Sequence, residues 1–321
     1  MSKKKISIVA PVFNEEKIIG EFIKRTIKVI KTLEKKFVFE ILLVDDGSED
    51  SSLKIMKEFA IQDSRIKVIE FRKNYGQTPA LQAGIDYSSG DYIITMDADL
   101  QHFPEEIPNF INKLEEGYDV VCGWRYNRQE GFLRKFPSKI ANNFIRSIAG
   151  FNIHDYGTTY RIYKSEIIKD IQLFGQQHRF IPVLAFISGA KITEIKIENI
   201  ERTVGVSNYG ISRTFNVLLD LLYLLFSVRY LSHPLRFFGK IFFLLFTIAS
   251  GILFSMISLA YFFDSPGIIR ERSGWFLSSL FIYITSFQVL LTGVLAEVLS
   301  RIYYFSENKR VYRVRTIWKN K

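Results

Sequence analysis

Three short acidic segments hold the residues best suited to chemistry: Pro11-Val12-Phe13-Asn14-Glu15, Asp45-Asp46-Gly47-Ser48 and Asp97-Ala98-Asp99-Leu100-Gln101-His102. Carboxylates brought together repel one another unless a cation or hydrogen-bond donors lie between them. Asp97, Asp99 and Gln101 offer hard oxygen ligands suited to Mg2+ or Mn2+. Taken singly, Asp97 or Asp99 could instead cap the helix expected after Pro104. Neither G-x-G-x-x-G nor a Walker pattern occurs after these segments, so a bound nucleotide would hold its phosphates through metal and side chains. Acids with a divalent metal suit a departing diphosphate in a nucleotide-sugar transferase, and equally a phosphatase or polymerase.

The elements that must position these residues are legible over the first 125 positions. Apolar runs Ile6–Val12, Ile41–Val44, Val68–Phe71, Tyr92–Met96 and Val120–Cys122 read as buried strands. Helical patterns lie between them at Glu16–Glu34, Ser51–Ile61, Gln77–Tyr87 and Glu105–Leu114, with Ser51 as a cap and Pro104 near a helix start. This alternation predicts an α/β fold, a mostly parallel sheet with helices on both faces. Ligands of such sheets bind at the carboxyl ends of the strands, where the acidic segments fall.

What the acids act on is suggested by the cations. Arg125, Arg128, Arg134, Lys135, Lys139 and Arg146 surround a stretch, Phe132–Ile148, whose apolar residues recur at near-helical spacing. It reads as an interfacial amphipathic helix, although the solvated basic face of an ordinary helix has the same spacing. Arg134 and Ser138, four apart, share a helical face and would suit a lipid phosphate. Farther on, Arg213–Ser232 is strongly apolar but interrupted by Asp220, which favours lying on a bilayer over crossing it. The polar segment before it, with Arg202, Gly205, Ser207, Asn208 and Gly210, fits a mobile lid or an inert linker equally well.

Two uncharged stretches, Ile241–Phe263 and Gly274–Ala296, are 23 residues each. At about 1.5 Å rise per residue either can cross a hydrocarbon core of roughly 30 Å. Arg270 and Arg272 between them are offset by Asp264 and Glu271, whereas seven cations follow at 301–321, so the positive-inside rule places both termini in the cytoplasm. In a bacterium that membrane would be the inner one. The residues after Lys5 are too short an apolar run for a signal peptide. The net charge of +10 arises from 43 Lys and Arg against 33 Asp and Glu. Its excess sits beside the membrane segments, which fits anionic headgroups and argues against nucleic acid as a partner. A single cysteine, Cys122, excludes an intrachain disulfide and a Cys-based zinc site.

The motifs Pro11-Val12-Phe13-Asn14-Glu15-Glu16, Val44-Asp45-Asp46-Gly47-Ser48, Asn74-Tyr75-Gly76-Gln77 and Met96-Asp97-Ala98-Asp99-Leu100-Gln101-His102-Phe103-Pro104 resemble family 2 glycosyltransferases of the GT-A fold. More narrowly, Arg134 with Ser138, Asp155-Tyr156-Gly157, His178-Arg179-Phe180-Ile181-Pro182, Ser207-Asn208-Tyr209-Gly210 and the two C-terminal spans resemble polyprenyl-phosphate glycosyltransferases of the dolichol-phosphate-mannose-synthase-like group. The resemblance covers nearly the whole chain. It implies that Pro11, Phe13, Glu15 and Asp46 hold the donor nucleoside, and that Asp97, Asp99 and Gln101 manage the metal and diphosphate. It further implies that Arg125, Arg134 and Ser138 grip the acceptor phosphate, and that Asp155 is the acid assigned a catalytic role in related enzymes or else only orients a neighbouring Arg or the sugar. Phe13 stands where the family usually has Tyr, and Asn208 where Lys is common, with Arg202 available to compensate. The Gln-x-x-Arg-Trp signature of processive polysaccharide synthases does not occur, so one sugar per acceptor is expected.

The resulting expectation is a membrane-anchored inverting transferase, metal-dependent, moving one UDP- or GDP-linked sugar to polyprenyl phosphate. A different glycan or lipid acceptor, or a non-catalytic nucleotide-sugar-binding scaffold, is the alternative. The expected organisation is a cytoplasmic catalytic domain over 1–212, an interfacial region over 213–236, a two-helix membrane domain over 237–305 that could also pair copies into a homo-oligomer, and a basic cytoplasmic tail over 306–321.

Overall fold

The computed structural model describes residues 3–126, 153–173, 175, 177–198, 226, 230, 234–262, 272–305 and 314–318. Strands β1 (Lys4–Val12), β2 (Phe37–Asp45), β3 (Ile66–Phe71) and β4 (Tyr92–Thr95) pair in parallel in the order β4-β1-β2-β3. Their near-continuous apolar sequences follow from burial on both faces, as parallel sheets require. Between them run α1 (Ile19–Leu33), α2 (Ser52–Gln62) and α3 (Gln77–Tyr87); a 3-10 turn at Pro104–Glu106 leads into α4 (Ile107–Glu115). All these elements match the sequence expectation to within a few residues. One detail differs. Ser51 stands at the start of α2 without capping it; Asp50 instead accepts the Ser52 backbone N–H at 2.9 Å.

The sheet is larger than expected. β5 (Val120–Arg125) continues as far as Arg125, and β6 (Arg161–Lys164) inserts antiparallel between β4 and β5. After β6 come α5 (Ser165–Lys169), a 3-10 turn at Gln177–Phe180, α6 (Ile181–Ile187) and β7 (Ile192–Ile197), which pairs in parallel with β5. The last strand, β8 (Val314–Trp318), lies antiparallel beside β3 and completes the order β7-β5-β6-β4-β1-β2-β3-β8. Within the stretch expected as a basic cytoplasmic tail, 306–321, residues 314–318 are thus a strand of the sheet. Trp318 secures the strand: its indole N–H donates to Glu70 at 3.4 Å, and the Lys57 ammonium lies 4.2 Å above its ring.

At the edge of the sheet away from the acidic loops, Glu40 is buried yet accepts from Lys67 at 2.5 Å, Ser7 at 2.6 Å and the Ser89 backbone at 2.6 Å, with Lys5 at 2.9 Å. Burial alone would raise its pKa, but these donors outweigh it and lower the carboxyl to about 2. Because the folded-state pKa lies below the unfolded one, the stabilisation is complete above the unfolded value and disappears as pH falls towards about 2. Glu40→Gln is therefore expected to cost on the order of 3 kcal/mol at pH 7. Denaturation curves of both proteins should converge as the pH is lowered from about 4.5 towards 2. A gap that stays constant with pH would show that the charge is not what stabilises.

The chain forms two compact units, Met1–Leu221 with Arg310–Lys321, and Leu222–Lys309. The second contains α7 (Pro234–Phe262) and α8 (Ser273–Phe305), which pack together as a hairpin. Phe246 and Tyr283 meet edge to face at 5.1 Å, Ser250 and Tyr283 share a hydrogen bond of 2.8 Å, and Gly293 admits Phe238 where a Cβ would fall 2.6 Å away. Phe243, Phe254 and Leu291 point outward. Long apolar helices that expose such side chains fit a bilayer and not a water-facing bundle.

Candidate functional site

The ends of β1 and β2 are level, with Val12 opposite Asp45 in the register. The loops that follow are therefore side by side, and they are stitched together. The Asn14 backbone N–H donates to Ser48 Oγ at 3.0 Å, Glu49 N–H to Asn14 Oδ1 at 2.9 Å, and Glu15 N–H to Ser52 Oγ at 2.8 Å. Gly47 is required here: its φ is +73° and a Cβ would sit 2.5 Å from the Lys73 carbonyl carbon. Phe13 is 43 % exposed beside these loops.

Asp46 is buried, and its two oxygens accept the backbone N–H groups of Tyr75, at 2.7 Å, and Gly76, at 2.9 Å. Burial, reinforced by Asp45, raises its pKa against the opposing pull of those two hydrogen bonds. Asp46 thus fixes the loop that begins α3. The first side chain of that helix, Gln77, donates to Asp97 Oδ1 at 2.7 Å, and Thr159 donates to Asp97 Oδ2 at 2.6 Å. Asp99 Oδ1 accepts the Gln101 N–H at 3.1 Å, a local turn that leaves the following 3-10 helix without a side-chain cap. The capping alternative for Asp97 and Asp99 is thereby set aside. Among the described residues no three His, Cys, Asp or Glu side chains form a ready metal cage. The two carboxylates and the Gln101 amide are hard oxygen donors all the same, and an arrangement completed by diphosphate oxygens suits Mg2+ or Mn2+.

On the other side of Asp97, Arg125 at the end of β5 forms a two-pronged ion pair with Asp155: Nε to Oδ2 at 2.6 Å and Nη2 to Oδ1 at 2.9 Å. Both side chains are largely buried. Gly157 closes the turn, donating its N–H to Asp155 Oδ1 at 2.9 Å, and a Cβ on it would crowd Arg125 Nη2 at 3.0 Å. A continuous series of contacts thus runs from Asp46 through the 75–77 loop, Asp97 and Thr159 to the segment bearing Asp155. His102 is buried and stacks on Tyr160, and burial lowers its pKa. Gln77 and Thr159 were not singled out from sequence. Gln77 did lie within a recognised motif, but a neutral side chain far along the chain gives no sign of its partner. Arg134, Ser138, Arg202, Ser207 and Asn208 lie outside the described residues, as do the expected amphipathic stretch 132–148 and most of 213–232.

A model of glycosyl transferase family 2 matches residues 7–172. The dodecaprenyl-phosphate galacturonate synthase of Rhizobium johnstonii is 39 % identical over 98 % of this chain and 93 % of its own. The undecaprenyl-phosphate 4-deoxy-4-formamido-L-arabinose transferase of Proteus mirabilis is 37 % identical over 93 % of this chain and 89 % of its own. Among solved structures, glucosyl-3-phosphoglycerate synthase of Mycobacterium tuberculosis superimposes with a TM-score of 0.53 at 17 % identity, covering 70 % of this chain and 79 % of that one, which speaks to the fold alone. The chain belongs to glycosyl transferase family 2, and its mixed, mostly parallel sheet is of the GT-A kind.

Proposed function

We propose that this protein transfers a single sugar from a UDP- or GDP-linked donor to polyprenyl phosphate at a membrane surface, with inversion at the anomeric carbon. The observation that carries the reading is the Arg125–Asp155 pair set beside the acidic loops on one edge of the sheet. That arrangement offers an anion-binding guanidinium where an acceptor would meet the donor. The two relatives named above differ in their sugars and share a polyprenyl-phosphate acceptor, which supports the acceptor class.

A lipid monophosphate, with a second pKa of about 6, is mostly dianionic at neutral pH and needs no strong base. Its oxygen forms the new bond to the anomeric carbon as the bond to the nucleoside diphosphate breaks, and no proton has to leave the nucleophile. What the protein supplies is alignment and charge shielding. Phe13, Pro11 and Glu15 line the nucleoside side, with Asp46 shaping the loop opposite. Asp155 orients the Arg125 fork, so that Asp155 works as a holder of the acceptor-side cation more than as a base. Arg134 and Ser138 add the remaining acceptor contacts, and Arg202, Ser207 and Asn208 close over the site. Asp99, Gln101 and Asp97 would hold Mg2+ or Mn2+, which would supply charge neutralisation for the departing diphosphate.

The anchoring also fits. Two apolar helices return the chain to the catalytic sheet through β8, which supports placing both ends of the hairpin on one side of the membrane, and the surplus of cations supports the cytoplasmic side. Incubating membranes with a panel of nucleotide sugars and polyprenyl phosphate, followed by mass spectrometry of the lipid product, tests the reading. A product carrying the sugar on another lipid or on a glycan would replace it.

Arg134→Ala is expected to raise the requirement for polyprenyl phosphate by roughly ten- to a hundredfold, the effect of losing a charge-assisted contact worth about 1.5–3 kcal/mol. Loss of general headgroup attraction would act equally at Lys135 and Lys139, at about 1 kcal/mol each. Comparing the three alanine variants in detergent separates the two. If Arg134→Ala matches Lys135→Ala, it does not bind the acceptor phosphate.

A further inference from the structure

Arg161, the first residue of β6, is the largest fully buried side chain among the described residues, and its burial is complete. No acidic side chain among them forms an ion pair with it. Its guanidinium donates to backbone carbonyls instead: Nη2 to Tyr156 at 2.7 Å, Nη1 to His178 at 2.9 Å, and Nη2 again to Arg179 at 3.4 Å, while Nε has no partner. Burying an always-charged group without a counter-carboxylate is costly, and an apolar residue of similar volume would serve packing better. The guanidinium contributes something packing cannot, a rigid planar fork that addresses two backbone segments at once.

One of those segments carries the acceptor-side carboxylate, and the other is tied to the first turn of α3. Tyr156 sits between Asp155 and Gly157, in the turn that presents the carboxylate to Arg125. His178 and Arg179 belong to the 3-10 turn, which is anchored at its far side by a 2.6 Å hydrogen bond between His178 Nδ1 and the Thr78 hydroxyl. None of the hydrogen bonds described for Arg161 reaches the loops at 11–15 or 45–48. We infer that Arg161 is a positioning residue for the acceptor: it holds the Asp155 turn and the 177–180 turn at a fixed spacing, and so sets where Arg125 meets the acceptor phosphate. This rests on the transfer reading above.

The test uses the full chain in detergent and separates donor from acceptor. Calorimetric titration with UDP and with GDP in the presence of Mn2+ reports the donor side; initial rates against polyprenyl phosphate report the acceptor side. Arg161→Met is expected to bind the nucleotide within about threefold of the parent while its acceptor requirement rises at least tenfold. Arg161→Lys should resemble Arg161→Met, because an ammonium cannot bridge both turns. Recovery of parental kinetics by Arg161→Lys, or a parallel loss of donor and acceptor affinity, overturns the inference. Should Arg161→Met unfold below the assay temperature, Thr78→Val releases the far anchor of the 177–180 turn without touching Arg161. It is expected to raise the acceptor requirement at least threefold with nucleotide binding unchanged, and an unaltered acceptor requirement there also overturns the inference. A parent enzyme that binds nucleotide but forms no polyprenyl product withdraws the reading on which the inference stands.

Discussion

Asp99→Asn should leave a folded protein that no longer turns over. The substitution changes side-chain volume little and removes the charge best placed to hold a divalent metal against the donor diphosphate. Asp97 cannot take over the Asp99 position as well, because Gln77 and Thr159 fix the orientation of its carboxylate. If the metal contributes several kcal/mol to transition-state charge stabilisation, the loss in rate is on the order of a hundred- to a thousandfold. Mn2+ titration in the presence of nucleotide should weaken in parallel, while the melting temperature stays close to that of the parent. Metal-dependent transfer at the normal rate would remove Asp99 from the site.

Arg125→Ala is expected to fail in two ways at once. Asp155 is left buried without its cation, and breaking a buried pair costs about 3–5 kcal/mol because the remaining charge has no compensation. For a domain of this size that corresponds to a fall in melting temperature of roughly 6–20 °C. Transfer should fall by more than the stability loss explains, since the acceptor phosphate loses the positive charge of the guanidinium as well. The double change Arg125→Met with Asp155→Leu separates the effects: stability should largely return, transfer should not. Recovery of transfer in the double variant would mean that the pair only supports the fold.

The strands and helices up to α4 were legible because parallel strands buried on both faces spell themselves out as apolar runs. β6 was not, since Arg161-Ile162-Tyr163-Lys164 begins and ends in cations whose partners are distant. β7 was hidden because Ile192-Thr193-Glu194-Ile195-Lys196-Ile197 is half-exposed and its apolar residues are interrupted by charged ones. β8 could be found only by knowing that the chain returns to β3. Carboxylates and guanidinium groups advertise their chemistry, which is why Asp97, Asp99 and Arg125 could be proposed from the residues, whereas Asp155 entered only through the family resemblance. Asp46 was named too, but its bonds to the Tyr75 and Gly76 backbone could not be read from a motif. Gln77 and Thr159 act through geometry alone.

The antiparallel strand at Val314–Trp318 also constrains the order of events during synthesis. Translation produces β3 long before β8, with both membrane helices in between. Until the later segment emerges, the outer edge of β3 presents unpaired backbone groups, a template for wrong partners. Completion of the sheet therefore waits until the hairpin has been synthesised, and a chain that stops within α8 (Ser273–Phe305) leaves β3 with an open edge. A soluble fragment ending near Ser212 would carry the same open edge, so it is better made with residues 310–321 joined on by a flexible linker.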